Sequence, residues 1–334
     1  MGLNYGGINY VKKTKNPLLL VKVSDNEPIE TYSCFELKDG RILSICKNLI
    51  NIHNLENPTL IDIQIKENLI GLIELNDGLL ILYYYDNIKL IKLSKNAYEI
   101  IQNIKVNNVH NDHLSINAVT QLYNDIIIFA LWESNYYLGS ISYYRYDKIN
   151  KKLIYLSNIA LSDILSICCI TELNNEELLL LSKNNGPFEG ITFSFYNIKN
   201  QNISLTLNYN FLSYPILLNK DYILIGNFEK IEIFDIHEHK VYKTINIKDF
   251  GYDYKIMTFL KLDEKALYVG DNVGNIYEYY ILIFDNTNLV LKDVFKAHDS
   301  RVIYFSKYKG NKIISTSENN KIKIWKLKSY NNNY

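Results

Sequence analysis

Arginine is nearly absent from this chain: of 36 basic residues only Arg41, Arg145 and Arg301 are arginines, and the rest are lysine. With Ile, Asn, Lys and Tyr abundant throughout, the bias is that of an AT-rich coding sequence, so Asn-rich loops carry no functional meaning by themselves. Net charge is absent too. The 36 basic residues face 36 acidic ones, and no global field points to nucleic acid or to a membrane surface. Four cysteines, Cys34, Cys46, Cys168 and Cys169, include no C-x-x-C pair, and strand positions make most of them small core residues. They are expected to be free thiols in a reducing compartment. The N-terminal stretch has no apolar h-region, and Gly6 stands where a myristoylation signal needs Ser or Thr. The longest apolar run, 126–132 ("IIIFALW"), is far shorter than a bilayer-spanning helix. The expectation is a soluble cytoplasmic or nuclear protein, with 48% hydrophobic residues available for a core.

What is present is a repeat. "ELKDG" (Glu36–Gly40) and "ELNDG" (Glu74–Gly78) each sit between two apolar runs. Weaker copies begin at Gln121, Glu172, Leu217, Lys261 and Tyr308, at intervals of 38 to 51 residues. After each turn comes a short apolar run, then an alternating run such as "KIEIFDI" or "KIKIWKL", then a further run leading to the next turn. Period-2 alternation with polar turns predicts four short strands per unit. Such a unit cannot bury both faces alone and must stack on copies of itself. The unit length suits the blade of a propeller, which takes roughly 40–45 residues. The expected fold is therefore all-β, a seven-bladed β-propeller of four-stranded antiparallel blades in one domain. The blades are placed at 28–66, 67–106, 113–159, 163–208, 213–247, 253–295 and 300–328. The last lacks its own fourth strand. The early run 16–24 ("NPLLLVKVS") is expected to supply it, so that the chain ends meet and no sheet edge stays open.

The segment 295–327, "FKAHDSRVIYFSKYKGNKIISTSENNKIKIWKL", resembles a repeat of the WD40 family. That resemblance implies a buried hydrogen-bond network. His298 takes the His place, Ser315 the hydroxyl place and Trp325 the Trp place, while Asn319 stands where the family has Asp. An amide still hydrogen-bonds but cannot stabilise a charged imidazole, so a weaker network is expected. In the other units the Trp place holds residues such as His53, Phe234 and Tyr279. Phosphoinositide-binding propellers carry an Arg-Arg pair, and no two arginines adjoin here.

Chemistry is hard to find. His110, Asp112 and His113 cluster in one stretch, and Asp235, His237 and His239 in another, but neither has the ligand framework of a zinc site. They are read as solvated loop residues. Cys168 and Cys169 are adjacent on a predicted strand, so their side chains point to opposite faces and make no redox pair. No nucleophile elbow, P-loop or dinucleotide fingerprint occurs. No metal, cofactor or catalytic set is expected.

For partners, the resemblance implies docking on the loops of one narrow face. The two long second-to-third-strand loops, 132–139 and 183–190, carry Tyr136, Tyr137 and Phe188, and the loop entering the third unit carries His113. Exposed aromatics on adjoining loops are plausible anchors. The last unit is locally basic: from 289 to 334, nine lysines and Arg301 oppose three acids, a net of +7, with Arg301, Lys321 and Lys323 the candidate contacts. The expected function is a non-catalytic protein-interaction scaffold, a subunit of a multiprotein assembly. The alternatives are an enzyme or small-ligand binder using the central channel, or a nucleic-acid contact through the basic last blade.

Overall fold

In a computed structural model, the structure describes residues 18–24, 31–46, 49–53, 60–64, 69–94, 97–106, 114–122, 124–133, 138–161, 164, 166–183, 191–209, 215–227, 230–246, 255–282, 288–308, 312–319 and 321–327. All secondary structure among them is β. After β1 (Leu18–Ser24) the chain lays down β2 (Thr31–Glu36), β3 (Ile42–Cys46), β4 (Leu49–His53) and β5 (Leu60–Gln64), followed by β6 (Gly71–Glu74), β7 (Leu80–Tyr83), β8 (Asn87–Leu93) and β9 (Tyr98–Lys105). The next four are β10 (Leu114–Gln121), β11 (Ile126–Glu133), β12 (Leu138–Asp147) and β13 (Lys152–Leu161), and then come β14 (Ser166–Asn174), β15 (Glu177–Lys183), β16 (Ile191–Asn197) and β17 (Asn202–Tyr209). The series continues with β18 (Ile216–Leu217), β19 (Tyr222–Asn227), β20 (Lys230–Asp235), β21 (Lys240–Asn246), β22 (Ile256–Lys261), β23 (Ala266–Asp271), β24 (Asn275–Leu282) and β25 (Asn288–Lys296). It ends on β26 (Val302–Tyr308), β27 (Lys312–Ser317) and β28 (Ile322–Leu327).

Each run of four from β2 to β25 is its own antiparallel sheet in chain order, a β-propeller blade. The last three strands form a sheet whose fourth member is β1, so this blade is joined from both ends of the chain. Leu18 pairs with Leu327, Leu20 with Trp325 and Ser24 with Ile322.

The repeated turn has a local cause. Leu37 N donates to Arg41 O at 2.8 Å and Gly40 N to Leu37 O at 2.7 Å, while Asp39 Oδ1 accepts from Arg41 N at 3.0 Å. The second copy repeats this around Leu75, Asp77 and Gly78. Gly40 and Gly78 both adopt φ of 83°, a left-handed conformation that costs a side chain about 1–2 kcal/mol. In the third copy Asp125 takes that conformation (φ 62°) without glycine. Thus "L-x-D-G" is the sequence of a four-residue hairpin turn, weakly written in the other sheets.

A second regularity was invisible in the sequence. The Trp place pairs with the same second-strand position throughout: Ile42↔His53, Leu80↔Ile91, Ile127↔Tyr144, Leu178↔Tyr196, Ile223↔Phe234, Leu267↔Tyr279 and Ile313↔Trp325. In every sheet but β2–β5, the ladder to the outermost strand is interrupted at the step into this residue. Such a bulge bends the strand and increases its twist, which lets successive sheets fan out.

The core lies between sheets. Separate apolar clusters join β2–β5 to β6–β9, β6–β9 to β10–β13, β10–β13 to β14–β17, and onward through β18–β21 and β22–β25. Tyr268, Ile276 and Phe295 then pack on Val302, Ile313 and Trp325 of the composite sheet. Ile42 of β3 packs on Tyr308, Ile314, Ile322 and Ile324, so the composite sheet also touches the first one. Burying each such side chain contributes about 1.5–3 kcal/mol, which is why the stack stands with few polar networks.

Candidate functional site

The composite sheet holds the hydrogen-bond network expected of it in part. Ser315, at the middle of β27, is fully buried. Its hydroxyl accepts from Trp325 Nε1 at 2.7 Å and shares a hydrogen bond with His298 Nε2 at 2.7 Å. Asn319 does not join it. Its side-chain oxygen accepts from Ser317 Oγ at 2.5 Å, and its backbone N–H donates to Ser300 Oγ at 3.2 Å. His298 Nδ1 is buried with no hydrogen-bond partner. The expected four-membered network is corrected to His298–Ser315–Trp325. The short Asn319 amide turns back to its own hairpin, where an adjacent hydroxyl offers a nearer partner. Without a carboxylate, burial pushes the His298 pKa down to about 3, and the nearby Lys323 ammonium pushes the same way.

Lys323, a candidate partner contact, is half-buried. Its ammonium donates to Ala297 O at 2.6 Å and lies 5.8 Å from the Trp325 ring centroid. It thereby ties β28 to the strand entry beside His298. Arg301 forms an ion pair with Glu318 at 2.7 Å, and Lys321 lies 3.6 Å from Asp299. Asp299 and Glu318 are thus paired with these cations, pairs already counted in the segment's net of +7, and exposed pairs of this kind contribute under about 1 kcal/mol each.

The same corner is fastened to the preceding sheet. Gly274 (φ 94°) sits in the β23–β24 turn, where its carbonyl accepts from Ala297 N and His298 N, each at 2.9 Å. A Cβ there would lie 2.2 Å from His298 O and 2.5 Å from Ser300 O. Buried Asp271 shapes the turn by accepting from Asn275 N (2.7 Å), Asn275 Nδ2 (2.7 Å), Val273 N (2.9 Å) and Tyr277 Oη (3.0 Å). Within that preceding sheet the Glu278 carboxylate of β24 pairs with Lys292 of β25 at 2.7 Å and accepts from Tyr268 Oη of β23 at 3.2 Å.

Other contacts between sheets answer the question raised by the repeated "E-L". Glu74 accepts from Lys38 N with both oxygens (3.1 and 2.9 Å), while Lys38 Nζ reaches Leu75 O at 2.8 Å. The glutamate of one turn therefore braces the turn of the preceding sheet. Tyr146 Oη donates to Asp77 Oδ2 at 2.5 Å, extending the brace to the third sheet. On the inner strands, Asn117 links Ser115 (2.7 Å) to Ser166 (2.9 Å) across two sheets. Sequence reasoning missed Glu74, Asp271 and Lys323 as structural ties. The recurrence of Glu before the turn was the signal for the first, and no local pattern marks the other two.

Of the remaining expected site residues, Tyr136, Tyr137, Phe188 and His113 lie outside the described residues, as do His110 and Asp112. Asp235 accepts from His237 N and Glu238 N in its turn, His237 Nε2 lies 3.1 Å from Asp221 Oδ1, and His239 packs edge-on against Phe195. Among the described residues no three His, Cys, Asp or Glu side chains converge as a metal site. Cys168 and Cys169 are half-buried free thiols; burial pushes Cys169 up to about 11, far from a reactive thiolate.

The chain is thus a β-propeller, and solved structures share its fold. A protein in a crystal structure of the mitotic checkpoint complex is similar over 98% of this chain and 100% of its own, at 9% identity and a TM-score of 0.69. The WD40 β-propeller domain of Doa1 is similar over 93% of this chain and 98% of its own, at 11% identity and a TM-score of 0.68. At such identities the likeness is one of fold. No protein-family model matches the sequence, and no curated protein is matched.

Proposed function

We propose that this protein is a non-catalytic interaction scaffold, a seven-bladed ring closed by β1, that serves as a subunit of a multiprotein assembly in the cytoplasm or nucleus. The observation that carries it is the way the chain's ends are locked. β1 completes the sheet of β26–β28, and apolar packing runs from sheet to sheet back to Ile42. This makes a rigid platform from which loops project. In the last sheet Ser315 bonds to Trp325 and Lys323 bonds to Ala297 O, so these side chains help to hold that platform. A full-length likeness to a protein found in a checkpoint complex, itself an assembly of several chains, supports the same reading.

The test is affinity purification of the tagged full chain with mass spectrometry, paired with size-exclusion chromatography. Stoichiometric co-purifying proteins, lost on Tyr137→Ala with Phe188→Ala at unchanged Tm, are the expected result. A chain that runs only as a monomer and retains nothing above the background of an unrelated propeller overturns the scaffold.

A further inference from the structure

A cleft of about 480 Å³ opens at the outer side of the molecule between β9 and the β12–β13 hairpin. We propose that it binds an extended peptide, which sets an apolar side chain against Tyr144, Tyr155 and Ile104 and a carboxylate beside Lys105. The inference rests on the scaffold reading and names the partner chemistry of one surface.

Two residues before the Trp place the third strands carry long side chains at Lys89, Glu232, Tyr277 and Lys323 and short ones at Asn51, Ser142 and Ser194. On β12 that position is Ser142, which is buried and donates only to Asn158 Oδ1 at 3.1 Å. The cleft reaches the Tyr144 ring, itself buried, which meets Tyr155 edge-on at 5.5 Å. Tyr155 itself is 55% exposed, a large apolar surface on a strand edge.

The occupant is a peptide because the edge already binds a peptide-like group. β13 is the outermost strand of its sheet, paired on one side with β12. Across the cleft the Gln102 amide accepts from Leu153 N at 2.7 Å and donates to Leu153 O at 3.1 Å. These are the two bonds that a neighbouring strand would make. A ligand backbone continuing from that point toward Asn158 adds a strand to the edge, with side chains alternating into the cleft. Acidity follows from charge. Lys105 is the one charged residue lining the cleft, it is exposed, and among the described residues it has no hydrogen-bond or ion-pair partner. A carboxylate there gains both attraction and orientation, and a lysine or arginine is repelled.

The experiment probes purified full-length protein against an array of nine-residue peptides. Each has a central Leu, Ile, Phe or Tyr flanked at varied distance by Asp/Glu, Lys/Arg or Ser. Peptides bearing an acidic flank are expected to be retained, with affinities then read by fluorescence anisotropy. Lys105→Glu should weaken the best of them by at least ~10-fold and shift selection to basic flanks. Ser142→Phe, which fills the cleft at a buried position and lowers Tm, and Tyr155→Ala, at an exposed position, should each weaken binding while circular dichroism shows the strand content of the wild type. The proposal is overturned if no array member is retained, if selection ignores flank charge, or if the three variants bind as wild type does. Co-purification of partners by the intact chain judges the scaffold reading separately, since it persists or fails irrespective of the array.

Discussion

At the scale of single residues, His298 shows how one substitution in a network changes its chemistry. The imidazole is buried, bonded through Nε2 to Ser315 and left without a partner at Nδ1. Its folded pKa of about 3 lies below its ordinary value of 6.5. Between these values the unfolded chain binds a proton that the folded chain refuses. Stability is therefore lost as pH falls through that window, by up to about 1.4 kcal/mol per pH unit from this group. His298→Asn should flatten the pH dependence of unfolding free energy between pH 4 and 6 by that slope, measured by urea denaturation, whatever it does to stability at pH 7. Two glycines give a matched pair. Gly78→Ala meets nothing within 4 Å and should cost only the left-handed strain of its φ of 83°, about 1–2 kcal/mol. Gly274→Ala drives Cβ into the carbonyls of His298 and Ser300 and should cost above about 3 kcal/mol, because strain and steric conflict add. Equal losses in denaturant melts would show that the turn can move away from β26.

At the scale of elements, the decisive strand is β1. It pairs with β28 through Leu18↔Leu327, Leu20↔Trp325 and Ser24↔Ile322, and so covers an edge that would otherwise present open backbone groups. A chain starting after Ser24 should lose amide exchange protection in β28 first, then self-associate through that edge. Retained protection in 322–327 with a monomeric elution volume would contradict this. The turns behave as elements as well. Glu74→Ala removes two acceptors from Lys38 N and should cost about 1 kcal/mol, with no change in strand content by circular dichroism.

At the scale of the whole molecule, the ring is held by apolar packing and chain continuity from sheet to sheet, and it closes non-covalently only inside the composite sheet, where β1 pairs with β28. The step from the composite sheet to β2–β5 depends on β1, which belongs to both by chain order and by pairing. A circular permutant that links 327 to 18 and opens the chain between β5 and β6 moves that seam to a place where no strand is shared. It should fold to the same strand content and unfold faster, since its termini separate without breaking a ladder. Stopped-flow unfolding of both forms decides this, and equal rates would mean that side-chain packing alone closes the ring.

The amino-acid sequence determined the unit. Alternation set four strands, "L-x-D-G" set the hairpin turn, and the leftover run 16–24 against a last unit one strand short set which ends must meet. These follow from local rules, because strand periodicity and left-handed glycine act within a few residues. Contacts between units were decided only by the tertiary structure. Asn319 occupied the position of a network member yet bonded to Ser317, and Lys323, counted as surface charge, became a tie to Ala297. The cleft beside Lys105 is lined by Gln102 from one sheet and by Ser142, Tyr144 and Tyr155 from the next. Side chains of separate sheets meet according to twist and bulge, and no spacing along the chain encodes those distances.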